Sequence, residues 1–182
     1  KPTCEEIKFR EQPTVANCTG FLISKDYLVT AGHCAVEFGQ VVRNKTNRKC
    51  MSSKWIFGFD TTNATNNNIE FSKENVYGCD KIVAASYTLQ EDYAVIKLDR
   101  KTRDRTIIPM SSEKSDYSVG KSVSVIGHPT GLPMKHAAGA KIVVNAYKDQ
   151  FTADLDTFGG NSGSPIFNER AEVIGILVSG EV

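Results

Sequence analysis

The chain of 182 residues has no excess of charge of one sign: 22 lysines and arginines face 21 aspartates and glutamates, a formal charge of +1 at pH 7. A nucleic-acid partner is therefore not expected, because such binders carry a basic face to meet phosphates. No apolar run approaches the roughly 18 residues that cross a bilayer. The longest stretch, Ile174 to Val178, is only strand-sized, so no membrane partner is expected either. Lys1 to Glu6 lacks the apolar stretch of a signal peptide, and any such segment is expected to have been removed or never present. The five cysteines are too few for a disulfide-packed miniprotein, and none forms the C-x-x-C spacing of a zinc or redox site. Sustained helical periodicity, internal repeats and low-complexity linkers are missing as well.

What is present suits one soluble domain: 40% of the residues are hydrophobic and 24% charged. A chain of this size buries roughly 70% of the surface its unfolded form exposes, so no metal or cofactor is required to hold it together. Short β-branched or aromatic runs, bounded by Gly, Asn, Asp and Pro, read as strands over 20–24, 27–30, 55–59, 93–98, 122–126, 141–145 and 173–178. Lys25-Asp26 reads as the tight turn of a hairpin joining the first two. The Asn- and Thr-rich stretch 61–68 and the alternating charges of 100–105 read as solvated loops. Many short strands with turns between them point to an all-β barrel or sandwich.

Three segments carry chemistry. Thr30-Ala31-Gly32-His33-Cys34 follows a strand, Asp92 opens the apolar run Tyr93 to Leu98, and Gly159-Gly160-Asn161-Ser162-Gly163-Ser164-Pro165 brackets a serine with glycines. Each alone is ordinary: a structural histidine, a strand-edge aspartate and a flexible turn. Together they supply complementary parts. A serine hydroxyl is a poor nucleophile until a base removes its proton, an imidazole can do so near neutral pH, and a carboxylate fixes the imidazole tautomer. Glycines beside the serine let backbone N–H groups face the oxyanion that forms on attack. His33, Asp92 and Ser162 follow one another along the chain in the chymotrypsin order, not that of subtilisin or the α/β-hydrolases.

On these motifs the sequence resembles the chymotrypsin-fold, trypsin-like serine endopeptidases, over nearly the whole chain from about Cys18 to Gly180. The stretch from Asp154 to Asn168 most resembles the bacterial glutamyl endopeptidase branch. The resemblance implies an all-β fold of two antiparallel six-stranded barrels, with the active site in the cleft between them. It implies one peptidase domain over residues 1–182, with the first barrel over about 14–105 and the second over about 118–182. His33 is then the general base and acid, Asp92 its orienting carboxylate and Ser162 the nucleophile, with the amides of Gly160 and Ser162 as oxyanion hole. The implied partner is a protein or peptide substrate cleaved by a monomer that uses no cofactor and no metal. His128 and His136, eight apart around Pro129, Gly131 and Pro133, read as loop residues and not as ligands.

The cysteine spacing supports the match. Cys18 and Cys34, the second directly after His33, stand where the family has the disulfide that braces the histidine loop, and Cys50 with Cys79 is the expected second pair. Cys4 is left over. Disulfides imply an oxidising compartment, so a secreted or periplasmic protein is expected.

Departures from the family bear on activation and specificity. Asn161 precedes the serine where trypsin has the aspartate that receives a new amino terminus, so that switch is missing and Lys1 need not be a buried ammonium. Thr157 matches the glutamyl endopeptidases, but Leu177 stands where they carry a histidine. Asp156, six residues before Ser162, occupies the place of trypsin's pocket-floor aspartate. Cleavage after Arg or Lys is therefore expected, with two alternatives: cleavage after Glu or Asp, or an Asp156 that turns away to hydrogen-bond a loop. Val178-Ser179-Gly180 resembles the strand that pairs with the substrate backbone. A protease-fold binding module without turnover, or an esterase, is the rival to the endopeptidase. Asn17, Asn44 and Asn63 each open an Asn-X-Thr triplet, which matters only in a eukaryotic secretory host. Relatives continue through one more barrel strand and a terminal helix, so either the second barrel closes with fewer elements or the natural chain extends past Val182.

Overall fold

The computed structural model describes residues 8–62, 64, 65, 68–147 and 149–180. Cys4, Lys1 and Asn63 lie outside them. In chain order the strands are β1 (Phe21–Leu22), β2 (Tyr27–Thr30), β3 (Gln40–Lys45), β4 (Lys54–Ile56), β5 (Ala64–Thr65), β6 (Asn68–Ile69), β7 (Val76–Tyr87) and β8 (Asp92–Leu98). The second half adds β9 (Ser122–Gly127), β10 (Lys135–Val144), β11 (Thr152–Ala153), β12 (Pro165–Phe167) and β13 (Val173–Ile176). One short helix, α1 (Arg48–Ser52), and several 3₁₀ turns complete the described elements.

The first sheet has six strands, β1-β2-β8-β7-β3 with β4 also on β7; the second has five, β11-β10-β9-β12-β13. This is the chymotrypsin-like two-barrel architecture that the sequence implies, with five strands in the second sheet among the described residues where six are expected. The hairpin β1–β2 forms through Ser24, whose hydroxyl accepts the N–H groups of Asp26 and Tyr27, while Tyr27 O accepts the N–H of Ile23 at 3.0 Å. Strict alternation then fixes the inward faces: Leu28 and Thr30 in β2, Ala94, Ile96 and Leu98 in β8, Val123 and Val125 in β9.

Each sheet closes over its own apolar core. Leu22, Leu28, Val36, Ile82, Ile96 and Leu98 fill the first, and Val123, Ala140, Ile142, Ile166 and Ile174 the second. A third cluster, in which Phe21 meets Phe167 and Val173, joins the two halves. The disulfides are Cys18–Cys34 and Cys50–Cys79. Asn47 caps α1 by accepting the Cys50 N–H at 2.8 Å, which holds Cys50 against β7 where Cys79 lies.

Some strands depart from the sequence reading. β10 begins at Lys135, six residues before the expected start at Lys141, because its first half is polar and small and gives no apolar alternation. The expected loop 61–68 contains β5 and the start of β6, a pair two residues long on each side. The strand expected over 55–59 is β4, which ends at Ile56, and that expected over 173–178 ends as β13 at Ile176.

Candidate active site

His33 sits in a 3₁₀ turn, Gly32–Cys34, that follows β2 directly. Gly32 makes that turn possible: a Cβ there would collide with the carbonyl oxygen of Ser86 in β7 and lie 2.9 Å from the Tyr93 nitrogen in β8. Bare backbone lets the histidine turn press onto both strands. Asp92 opens β8 opposite Tyr87, the last residue of β7, so the β7–β8 hairpin delivers the carboxylate beneath the imidazole. Both its oxygens are used. Oδ1 accepts the backbone N–H of His33 at 2.9 Å, and Oδ2 lies 2.7 Å from Nδ1. The Asp92 and His33 side chains are 15% and 26% exposed, and the Tyr87 ring lies 5.6 Å from the imidazole. An ionised carboxylate only accepts, so Nδ1 carries the proton and Nε2, on the far edge of the ring, is left as a base.

The serine loop packs on the strand that leads to His33. Gly160 and Gly163 have φ of 94° and 85°, the left-handed region that glycine adopts without strain. Gly163 is pressed against Thr30 and Thr19, and Ala31 N would lie 2.8 Å from a Cβ placed on it. The Ser162 carbonyl accepts the Thr19 N–H at 2.8 Å and lies 3.9 Å from Cys34 Sγ, so the first disulfide runs past the backbone of the serine.

Successive peptides of this loop are anchored by their carbonyls. Gly159 O accepts the Thr130 N–H at 2.5 Å, Gly160 O accepts the Thr19 hydroxyl at 3.0 Å, and Asn161 O accepts the Ser164 N–H at 2.8 Å. A trans peptide points its N–H opposite to its C=O. The N–H groups of Gly160 and Ser162, whose peptides carry the first and third of those carbonyls, are accordingly turned the other way and donate to no acceptor among the described residues. Asn161 itself is buried, 3% exposed, with its side-chain oxygen against Gly127. A neutral amide there needs no ammonium partner, whereas a carboxylate would.

The trypsin-like peptidase domain family matches residues 18–176 of the chain. The chain belongs to the trypsin-like peptidases. Glutamyl endopeptidase of Staphylococcus aureus (strain MW2) is 32% identical over 96 residues, which is 50% of this chain and 29% of that relative. The chain thus aligns with less than a third of the length of the curated relatives it matches. Among solved structures, the serine endoprotease from Yersinia pestis superposes with a TM-score of 0.60 at 20% identity, covering 90% of this chain and 48% of that one. The active form of the Rv3671c protease from M. tuberculosis gives 0.59 at 19% identity, covering 91% and 63%. At these identities the structural likeness is one of fold.

The pocket residues expected in this trypsin-like peptidase do not all converge. Asp156 is exposed and makes no hydrogen bond or ion pair with a described residue, so neither the buried pocket floor nor the hydrogen-bonded loop position is occupied. Leu177 packs with Leu155 against the core of the second barrel. The Thr157 hydroxyl faces Gly180, 3.6 Å from where a Cβ would stand on it. Val178 is half-buried, Ser179 and Gly180 are exposed, and the backbone groups of the three pair with no described residue. Cys18, His33 and Cys34 lie close enough to suggest a metal cluster, but the disulfide consumes both sulfurs and leaves one ligand. His128 stacks on Phe59 at 5.4 Å and places Nδ1 2.9 Å from Leu132 O, while His136 is exposed on β10. Sequence reading missed Thr19, Gly32 and Thr130. Only Gly32, inside the Thr30 to Cys34 motif, carried a local signal.

Proposed function

We propose that the protein is a secreted or periplasmic serine endopeptidase that hydrolyses peptide bonds through an acyl-enzyme on Ser162. The observation that carries this is the double grip of Asp92 on His33, which takes up Nδ1 and leaves Nε2 to act as the base, together with a serine loop, packed on the strand leading to His33, that carries two undirected N–H groups. In this reading Ser162 Oγ attacks the substrate carbonyl while His33 Nε2 takes its proton. Asp92 stabilises the imidazolium, and the N–H groups of Gly160 and Ser162 bind the oxyanion. The proton passes to the leaving amine, and water repeats the sequence to release the acid. The unpaired backbone of Val178, Ser179 and Gly180 offers an edge to the substrate main chain. The two disulfides support an oxidising compartment. No described helix is long and apolar enough to cross a membrane.

For the residue before the scissile bond, Asp156 favours Arg or Lys. Its carboxylate is open to water, so an ion pair there contributes about 0.2–1 kcal/mol, a preference of no more than about fivefold. Cleavage after Glu is the second reading, favoured by Thr157 and by relatives that are glutamyl endopeptidases. Leu177, partly buried against the barrel core, supplies no donor for a glutamate.

Labelling with a fluorophosphonate tests the nucleophile: the wild-type chain is expected to react and Ser162→Ala not to. A folded wild-type chain that stays unlabelled is a binding module. Hydrolysis of esters but not of amides would make the protein an esterase. Peptides ending in Arg, Lys, Glu and Phe, compared in wild type and Asp156→Asn, decide the preference. Tenfold or greater selectivity for Glu would overturn the basic reading.

A further inference from the structure

We infer that Thr19 is a positioning residue for the oxyanion hole, acting through its hydroxyl on the Gly159–Ser162 loop. The inference rests on the proposed role of the Gly160 and Ser162 amides as oxyanion donors and names what holds them in place.

Two adjacent glycines, Gly159 and Gly160, give this loop almost no conformational preference of its own. Rotating the peptide between them would turn the Gly160 N–H away from the substrate at little intrinsic cost. Its direction is therefore set by outside hydrogen bonds. Of the four carbonyl anchors in the loop, three come from backbone, Thr130 N–H on Gly159, Ser164 N–H on Asn161 and Thr19 N–H on Ser162. The fourth, on Gly160, is the one made by a side chain, and that side chain is Thr19, which fixes the Gly160–Asn161 peptide lying between the two peptides that carry the oxyanion N–H groups.

The direction of the Thr19 hydrogen bond is unambiguous. The hydroxyl has one proton, and it lies 3.2 Å from the backbone nitrogen of His128, which can only donate. The hydroxyl proton is thus left for Gly160 O at 3.0 Å. Thr19 is 5% exposed, so water does not compete for either bond. The same residue donates its backbone N–H to Ser162 O at 2.8 Å, and its own carbonyl accepts the Thr30 hydroxyl at 2.7 Å. One residue next to the disulfide therefore grips two carbonyls of the serine loop and ties them to the strand that leads to His33.

The His128 contact extends the hold. His128 O accepts the Gly131 N–H at 3.0 Å, closing the turn in which Thr130, at φ 52°, presents its N–H to Gly159. Gly160 lies so near this turn that a Cβ on it would stand 2.5 Å from His128 O. Thr19 Oγ1 is a second link, beside the Thr130 N–H on Gly159, that registers the turn against the loop: lost, it frees Gly160 O and His128 N–H together.

The test compares Thr19→Val, which keeps the shape but loses the hydroxyl, with Thr19→Ala and Thr19→Ser. In Val and Ala, kcat is expected to fall roughly tenfold or more, bounded by the 10²–10³-fold cost of losing an oxyanion donor outright, with KM within about twofold. Ser is expected to restore kcat. Affinity for a peptide aldehyde, whose hemiacetal with Ser162 carries the oxyanion, should fall in parallel with kcat. A purely structural Thr19 would lower the melting temperature without moving kcat per folded molecule. Wild-type kcat in Val and Ala, failure of Ser to rescue, or unchanged aldehyde affinity would each overturn the inference. Fluorophosphonate labelling of the wild-type chain runs alongside: no label sinks the nucleophile assignment, whereas a labelled wild type with unaffected Thr19 variants sinks the Thr19 role alone.

Discussion

Replacing Asp92 by Asn tests the centre of the proposed chemistry with almost no change of shape. Asp92 now accepts twice from the same residue, the His33 N–H at 2.9 Å and Nδ1 at 2.7 Å. An amide has one acceptor and one donor end, and only one arrangement avoids facing two donors. Its oxygen stays on the backbone N–H, and its NH₂ turns to Nδ1, which must then accept. That forces the ring proton onto Nε2, the nitrogen meant to take the serine proton, so the base is lost while every heavy atom stays in place. Turnover is expected to fall by about 10⁴-fold, the cost of the wrong tautomer in this type of site. That equals roughly 5.5 kcal/mol in the barrier at about 1.36 kcal/mol per tenfold. Stability should change little, since both hydrogen bonds are replaced by neutral ones. The assay is steady-state kcat on an amide substrate, with urea unfolding as the control. Adding Asp92→Asn to Ser162→Ala should give almost no further loss, because residues of one unit are not additive. A variant within tenfold of wild type would refute the assignment of Asp92 as the group that fixes the tautomer.

Three further perturbations follow from the same geometry. Cys18→Ser with Cys34→Ser opens a bridge spanning 16 residues and is expected to cost about 3 kcal/mol by loop entropy, measured by urea unfolding; unchanged stability would mean that the reduced chain stays constrained. Gly32→Ala places a methyl against the Ser86 carbonyl and must displace the histidine turn. It should lower kcat far more than a surface Gly→Ala change, and a silent variant would show that the turn tolerates the shift. His128 has its pKa lowered from the ordinary 6.5, chiefly by burial, with the nearby Lys135 charge adding to the effect and the bond to Leu132 O opposing it. The unfolded chain then binds a proton below about pH 6.5 that the folded chain refuses, so stability falls as pH drops through that value and stops falling below the folded pKa. His128→Gln should flatten this slope in urea midpoints between pH 5 and 7, and an unchanged slope would place the titration elsewhere.

The strands that were legible in the sequence are those with one face in a core. β2, β8 and β9 alternate in burial because Leu28, Ile96, Val123 and their neighbours point inward while the residues between them are only partly buried, Val29 and Ile126 packing against the third cluster. β3 has almost no buried residue, since it is an edge strand packed by its backbone on β7, and so it has no pattern to read. β7 carries Gly78, Cys79, Asp80 and Lys81 in mid-strand and is bulged twice against β8, which breaks the two-residue period. Position in the sheet, more than propensity, decided which strands announced themselves.

The site divides in the same way. His33, Asp92 and Ser162 stood out because their chemistry demands particular side chains at particular places, and Gly160 and Gly163 because glycines bracket the serine where the positive φ requires them; Gly32 sat inside a legible motif, but its close approach to β7 did not show. The specificity residues were named by position and only partly meet: Thr157 faces Gly180, but Asp156 points to solvent and Leu177 into the barrel core, because a pocket depends on how loops fold back and not on offsets from the serine. Thr19 and Thr130 were invisible for a further reason. Both act on backbone atoms, through an acceptor 141 residues away in one case and through a bare N–H in the other, so no local pattern marks them. A threonine after a cysteine is commonplace in a sequence, and what makes this one consequential is that the chain brings it, buried, between two adjacent glycines and a turn of the second barrel. The parts of such a site that aim backbone dipoles are therefore expected to be the least legible in sequence, although removing one of them should cost turnover roughly tenfold or more.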